Sequence, residues 1–136
     1  MKQVQQLYRI IDANFNRAKE GLRVCEDIAR YGWDQRSLTK SLKDLRHELT
    51  RVTSKLHVLK MLQGRNVVDD IGRASSKSEF QRKDLSSVFF ANAQRVKESL
   101  RVLEEVAKLF NPSAAQGIKT LRYQMYVLEQ KAVKKR

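Results

Sequence analysis

Residues 13–30 read ANFNRAKEGLRVCEDIAR, and residues 91–108 read ANAQRVKESLRVLEEVAK. Ala, Asn, Arg, Lys, Glu, Leu, Arg, Val, Glu and Ala coincide at a constant offset of 78. Further on, KDLRHEL at 43–49 matches KTLRYQM at 119–125 at an offset of 76, so two residues are lost in the connection, where a deletion costs least. Each copy carries the apolar stripe of an amphipathic helix. Ile11, Phe15, Ala18, Leu22, Cys25 and Ala29 recur at spacings of four and three, and Phe89, Ala93, Val96, Leu100, Leu103 and Ala107 repeat them. The partner segments are striped in the same way, through Leu38, Leu42, Leu45, Leu49, Val52, Leu56 and Leu59 and through Ile118, Leu121, Met125, Leu128 and Ala132. This is a duplicated pair of helices.

The connections inside each pair are short. Tyr31-Gly-Trp-Asp34 supplies a helix stop with Asp34 as the expected N-cap, and Asn111-Pro112 supplies an N-cap followed by proline at the first helical position. Short connections join antiparallel neighbours, and a lone helical hairpin leaves its stripe half wet. Two copies closing on each other bury it. The sequence therefore predicts an all-α fold: a single-domain antiparallel four-helix bundle spanning residues 1–136. Repeat A runs over about 8–62, a linking loop over 63–83 and repeat B over about 84–134, with helices near 3–31, 35–62, 84–109 and 112–134 related by a pseudo-two-fold axis. A linker of about twenty residues is long for a passive connection. Functional loop and simple tether both remain open for it.

Composition supports this plan. The 136 residues include five glycines and one proline, which favours long helices over strands and turns. The single cysteine has no internal disulfide partner, the first twenty residues hold no signal-like apolar run, and no segment approaches a membrane span. A soluble cytoplasmic chain is expected. The formal net charge of +13 attracts anions, whether nucleic acid, acidic lipid or small phosphorylated molecules, yet the basic residues are dispersed as on solvated helix faces. Neither G-x-x-x-x-G-K-[ST] nor G-x-G-x-x-G occurs. His47 and His57 are ten apart and lack a cysteine partner, which argues against zinc. Cys25 lies on the stripe opposite Leu103 of the repeat and reads as a core residue, and Trp33 as a plug for the hairpin end.

Retained polar identity is the less expected feature. Core packing explains why a duplicated stripe survives, but not why Asn14, Arg17, Glu20, Arg23 and Glu26 reappear as Asn92, Arg95, Glu98, Arg101 and Glu104. Arg46 and Arg122 repeat on the second helix of each pair. Recent duplication and i,i+3 ion pairs explain part of this, at a few tenths of a kcal/mol per pair. Asparagine is a poor helix-interior residue and is kept twice, which favours a surface cleft or a self-association face. In the loop, Asp69 and Asp70 are adjacent carboxylates beside Arg65, Arg73 and Arg82, a setting in which Mg²⁺ could carry a phosphorylated ligand. Solvated loop acids are the commoner reading of such a pair.

The segment RIIDANFNRAKEGLRVCEDIARY, then LKDLRHEL, RNVVDDIG, ESLRVLEEVAKLF and KTLRYQMYVLE, resembles in order and spacing a helical domain of thiamine biosynthesis. That domain occurs at the N-terminus of certain bacterial thiamine-phosphate synthases and as a stand-alone protein, described as a hydroxymethylpyrimidine-phosphate kinase. The likeness covers about residues 8–130, with Arg65-Asn66 standing where the family more usually has Arg-Asp. It implies phosphorylation of hydroxymethylpyrimidine phosphate to the diphosphate, with ATP and Mg as cofactors, in a stand-alone form acting beside a separate synthase. Phosphoryl transfer needs positioning and charge neutralisation more than covalent chemistry. On that footing Arg17, Arg23, Arg46, Arg95, Arg101 and Arg122 are candidate phosphate contacts. Asp70 with Glu20 or Glu98 are the candidate catalytic, metal-side acids (Asp70 for Mg), and Asn14 and Asn92 are candidates to orient the pyrimidine or anchor the loop. The alternatives are a non-catalytic module that forms a homo-oligomer or docks on thiamine-phosphate synthase, and a basic nucleic-acid binder. The last lacks any recognisable binding motif.

Overall fold

The computed structural model of the chain describes residues 2–56, 64–74 and 81–134. Four α-helices account for most of them: α1 (Lys2–Asp27), α2 (Arg36–Thr53), α3 (Leu85–Ala107) and α4 (Pro112–Lys134). The described residues contain no strand, and none of their helices is long and apolar enough to cross a membrane. Two of the four expected segments end differently. α1 passes into a π-helical turn at Ile28–Gly32, and α2 closes with a 3₁₀ turn at Ser54–Leu56. The expected continuation of α2 over 57–62, with Leu59 and His57, lies outside the described residues.

The stripes face one hydrophobic core. Ile11, Ala18, Leu22 and Cys25 of α1 are fully buried, as are Phe89, Ala93, Val96, Leu100 and Leu103 of α3, while Phe15 packs against the core half-buried. Full burial of one large apolar side chain is worth about 1.5–3 kcal/mol, so these stripes are the main stabilising element. α1 packs on α2 and α3, and α4 on α2 and α3, so the four helices close a ring. α1 and α3, the duplicated helices, run antiparallel: Tyr8 meets Phe110 beyond the end of α3, Gly21 lies against Val96, and Gly32 lies against Leu85. At Gly21 the helices touch so closely that a Cβ would stand 2.8 Å from Val96 Cγ2 and 3.0 Å from the Asn92 carbonyl oxygen.

The two hairpin connections are built differently. Asn111 caps α4 as expected, its Oδ1 accepting the Ala114 N–H at 3.2 Å ahead of Pro112. Asp34 does not cap α2. It takes a left-handed backbone conformation (φ 52°), and Gln35 occupies the N-cap position without a side-chain cap bond. The physical cause is the π-helical turn: Trp33 N–H bonds Ile28 O and Gln35 N–H bonds Ala29 O, which carries the chain one residue further before α2 starts. Trp33 stacks at 5.0 Å on Phe89 and seals this end of the core. α3 begins with a capping box in which Asp84 and Ser87 exchange side-chain to backbone bonds.

Candidate functional site

The described part of the linking loop is ordered by its own turns. Asn66 Oδ1 accepts the Asp69 N–H at 3.1 Å, Asp70 N–H bonds Val67 O, and Asp70 Oδ1 accepts the Gly72 N–H at 3.0 Å. Loop and bundle are joined by a forked ion pair. Arg65 Nε donates to Asp12 Oδ2 at 2.7 Å and Nη2 donates to Oδ1 at 2.6 Å. The hydrogen bonds that Arg65 donates to the Asp12 carboxylate raise the pKa of its guanidinium. On the other side of the carboxylate, Asn16 Nδ2 donates to Asp12 Oδ1 at 3.0 Å and to the Asp12 carbonyl at 2.9 Å. One helix turn and one loop residue thus converge on a carboxylate with 8% exposure.

Between this loop and residues 6–20 of α1 lies a cleft of about 700 Å³. Arg9, Arg17 and Arg65 line it, and so do Asp12, Glu20 and Asp70. Three cations against three carboxylates leave its ionisable walls balanced, in a chain whose formal net charge is +13. Ile10 and Val67 provide apolar wall, and Asn14 and Asn16 provide amides. Asn14 Nδ2 donates to the Ile10 carbonyl at 2.9 Å, and Asn92 repeats that bond to Val88 O at 2.8 Å, so the retained asparagines share a local backbone contact.

The expected site residues divide into three groups. Asn14, Arg17, Glu20 and Asp70 come together in the cleft. Arg23, Arg46, Arg101 and Arg122 gather instead around two buried glutamates. Glu26 takes Arg46 Nε at 2.9 Å with Arg23 at 3.8 Å, and Glu104 takes Arg122 Nε at 3.1 Å with Arg101 at 3.2 Å. Asn92, Arg95 and Glu98 lie on α3 away from the cleft, where Glu98 accepts from Gln94 at 3.5 Å. Among the described residues no group of three or more His, Cys, Asp or Glu side chains stands ready to hold a metal.

The family model of the ThiD2 family matches residues 9–131. The chain belongs to the ThiD2 family. Among curated proteins it is 43% identical over 130 residues to a thiamine-phosphate synthase of Nostoc punctiforme, covering 94% of this chain and 36% of that protein. It is 42% identical over 127 residues to one from Thermosynechococcus vestitus (93% and 35%), and 40% identical over 119 residues to one from Rhodopirellula baltica (87% and 32%). The chain thus spans about a third of the length of these curated relatives. No solved structure matches it.

Arg9, Asp12 and Asn16 are polar cleft residues of this ThiD2 chain that its sequence did not single out, and for the last two a signal was available. The available signal was the failure of the repeat. At the offset of 78, Asp12 corresponds to Phe90 and Asn16 to Gln94. Phe90 packs against the core, so repeat B has no carboxylate there to receive a loop arginine, and the cleft is one-sided.

Proposed function

We propose that the chain acts in thiamine biosynthesis as a phosphotransferase, moving the γ-phosphoryl group of ATP onto hydroxymethylpyrimidine phosphate. The observation that supports this best is the charge-balanced, partly apolar cleft under the loop. Its volume of about 700 Å³ is that of a small-molecule site, and it lies within the stretch that matches the ThiD2 family. In the reaction an oxygen of the substrate's phosphate forms a bond to the γ-phosphorus, the bond from that phosphorus to the β-bridging oxygen breaks, and ADP leaves. The attacking phosphate is already anionic near neutral pH, with a second pKa of about 6, so the site has no need of a general base. It needs to gather negative charges and align them.

The cleft residues divide that work by charge. Arg9, Arg17 and Arg65 offer guanidinium groups to phosphate oxygens, and Ile10 and Val67 flank the ring. Magnesium suits one or two carboxylates plus substrate phosphates and has no need of a protein cage. Asp70 and Glu20 fit that habit because both line the cleft without an arginine partner among the described residues. A bound magnesium ion would neutralise the β- and γ-phosphate oxygens. Balanced walls suit an anion that arrives with its cation.

The test is to incubate purified chain with hydroxymethylpyrimidine phosphate, ATP and Mg²⁺ and to follow ADP and the pyrimidine diphosphate by chromatography. Pyrimidine-dependent ADP formation is the expected result. A folded chain that forms no diphosphate at any magnesium concentration would remove the kinase reading. A second reading has its own support, since the relatives carry the rest of their length beside the matched segment and are thiamine-phosphate synthases. On that reading the chain docks on such a synthase without turnover, and a stable complex by light scattering would favour it.

A further inference from the structure

We infer that Asp12 is a positioning residue that sets Arg65 as a fixed guanidinium fork for a phosphate in the cleft. This rests on reading the cleft as a phosphate site.

A carboxylate with 8% exposure is costly unless it is paired and hydrogen-bonded, and Asp12 is both. Its two oxygens take Nε and Nη2 of Arg65, while Asn16, one turn along α1, fixes the carboxylate from the helix side. Arginine has five N–H donors in a planar fork. Two are spent on Asp12, and among the described residues the other three make no hydrogen bond. Arg65 is 40% exposed and lines the cleft, so its unspent donors are available to a ligand. The bidentate contact removes the rotational freedom of a long side chain before a ligand arrives, which is the benefit of preorganisation. Lysine at position 65 keeps the charge but cannot grip both carboxylate oxygens in this planar way.

The probes are inorganic pyrophosphate and hydroxymethylpyrimidine phosphate, titrated calorimetrically into the full chain. Wild type is expected to bind saturably. Asp12→Asn and Arg65→Lys are each expected to weaken binding about 10- to 100-fold, the usual effect of removing a supporting contact. The double variant is expected to bind no worse than the weaker single variant, because Asp12 acts through Arg65. Arg65→Lys is also expected to melt close to wild type, so its loss reports the fork rather than the stability of the loop. Unchanged affinity in either single variant, additive losses in the double variant, or no saturable binding to wild type overturns the inference. If Asp12→Asn fails to fold, Arg65→Lys at its exposed loop position decides alone, with unchanged affinity overturning it. Binding is read without turnover. Fork-dependent binding in a chain that forms no diphosphate therefore removes the kinase reading and leaves the role of Asp12 standing.

Discussion

Arg46 donates Nε–H to Glu26 Oε1 at 2.9 Å across the α1–α2 contact, with the two side chains 17% and 5% exposed. Arg122 and Glu104 make the same pair in the second hairpin, so the duplication conserves a buried ion pair as well as a stripe. Removing Arg46 or Arg122 leaves the buried glutamate with only its exposed second arginine, Arg23 at 3.8 Å or Arg101 at 3.2 Å. Arg46→Ala and Arg122→Ala are each expected to lower the unfolding free energy in urea titrations, by less than the cost of a fully stranded charge, about 3–5 kcal/mol. The loss should be larger at Arg46, whose glutamate keeps the more distant partner. Replacing both partners of one pair, as in Glu26→Leu with Arg46→Met, should recover most of that loss. A double variant as unstable as Arg46→Ala alone would mean that the pair contributes more than mutual neutralisation.

Gly21 sets how closely α1 and α3 approach, and its test is an alanine. Ala gains about 1 kcal/mol of helix propensity over Gly. At this position its Cβ would press on the Asn92 carbonyl, a backbone atom that cannot swing aside, as well as on Val96. Overpacking costs about 1–3 kcal/mol and should win, so Gly21→Ala is expected to lower the melting temperature. Gly117→Ala serves as the contrast. Its Cβ would have Val52 side-chain carbons as nearest neighbours, from 3.2 Å, with no backbone atom as close as the Asn92 carbonyl is at Gly21. Gly117→Ala should therefore be the less destabilising of the two in the same melt.

Cys25 gives the fold a pH dependence. Burial first, and the nearby Glu129 charge second, push its thiol from 9.0 up to about 12, while the Sγ–H points to Phe89 O at 3.4 Å. In the unfolded chain the thiol releases its proton near its ordinary value. Between pH 9 and 12 the native state therefore holds a proton that the unfolded state has lost. Stability is fully present below about 9 and falls through that window by up to about 1.4 kcal/mol per unit. Other groups titrate in the same range, so the comparison is with Cys25→Ala, whose alkaline slope in urea unfolding should be shallower. Equal slopes would show that the thiol does not ionise differently on unfolding.

The fold was legible because a buried stripe has a period and a duplication repeats it, and both survive in the spacing of Ile11 to Ala29 and Phe89 to Ala107. The cap at Asn111 was legible too, since asparagine before proline leaves few backbone options. Asp34 misled because a π-helical turn shifts the chain by one residue, and nothing in Tyr31-Gly-Trp-Asp34 marks where a helix widens. Part of the cleft was legible as the retained polar residues Asn14, Arg17 and Glu20 on α1. Asp12 was not, because its partner Arg65 lies 53 residues away in a segment without periodicity. A long-range ion pair leaves no local pattern, and only the mismatch with Phe90 pointed toward it.

Arg17 and Arg95 test whether the function follows the repeat or the asymmetry. They are counterparts at the offset of 78, and both are exposed. Arg17 lines the cleft under the loop, whereas Arg95 stands on α3 outside it. If the phosphotransferase site is the one-sided cleft, Arg17→Ala should lower kcat/KM for the pyrimidine phosphate by about 100-fold, the effect of losing one charge-stabilising donor. Arg95→Ala should leave it unchanged. Glu20→Gln and Glu98→Gln should divide in the same way, and all four variants should melt near wild type because exposed helix residues away from caps and cores contribute little to stability. Equal losses at both members of each pair would mean that the two repeats share one site, as in a dimer that brings α1 of one copy to α3 of another. Equal indifference would leave the arginines no part in phosphoryl transfer and move the chemistry off the cleft.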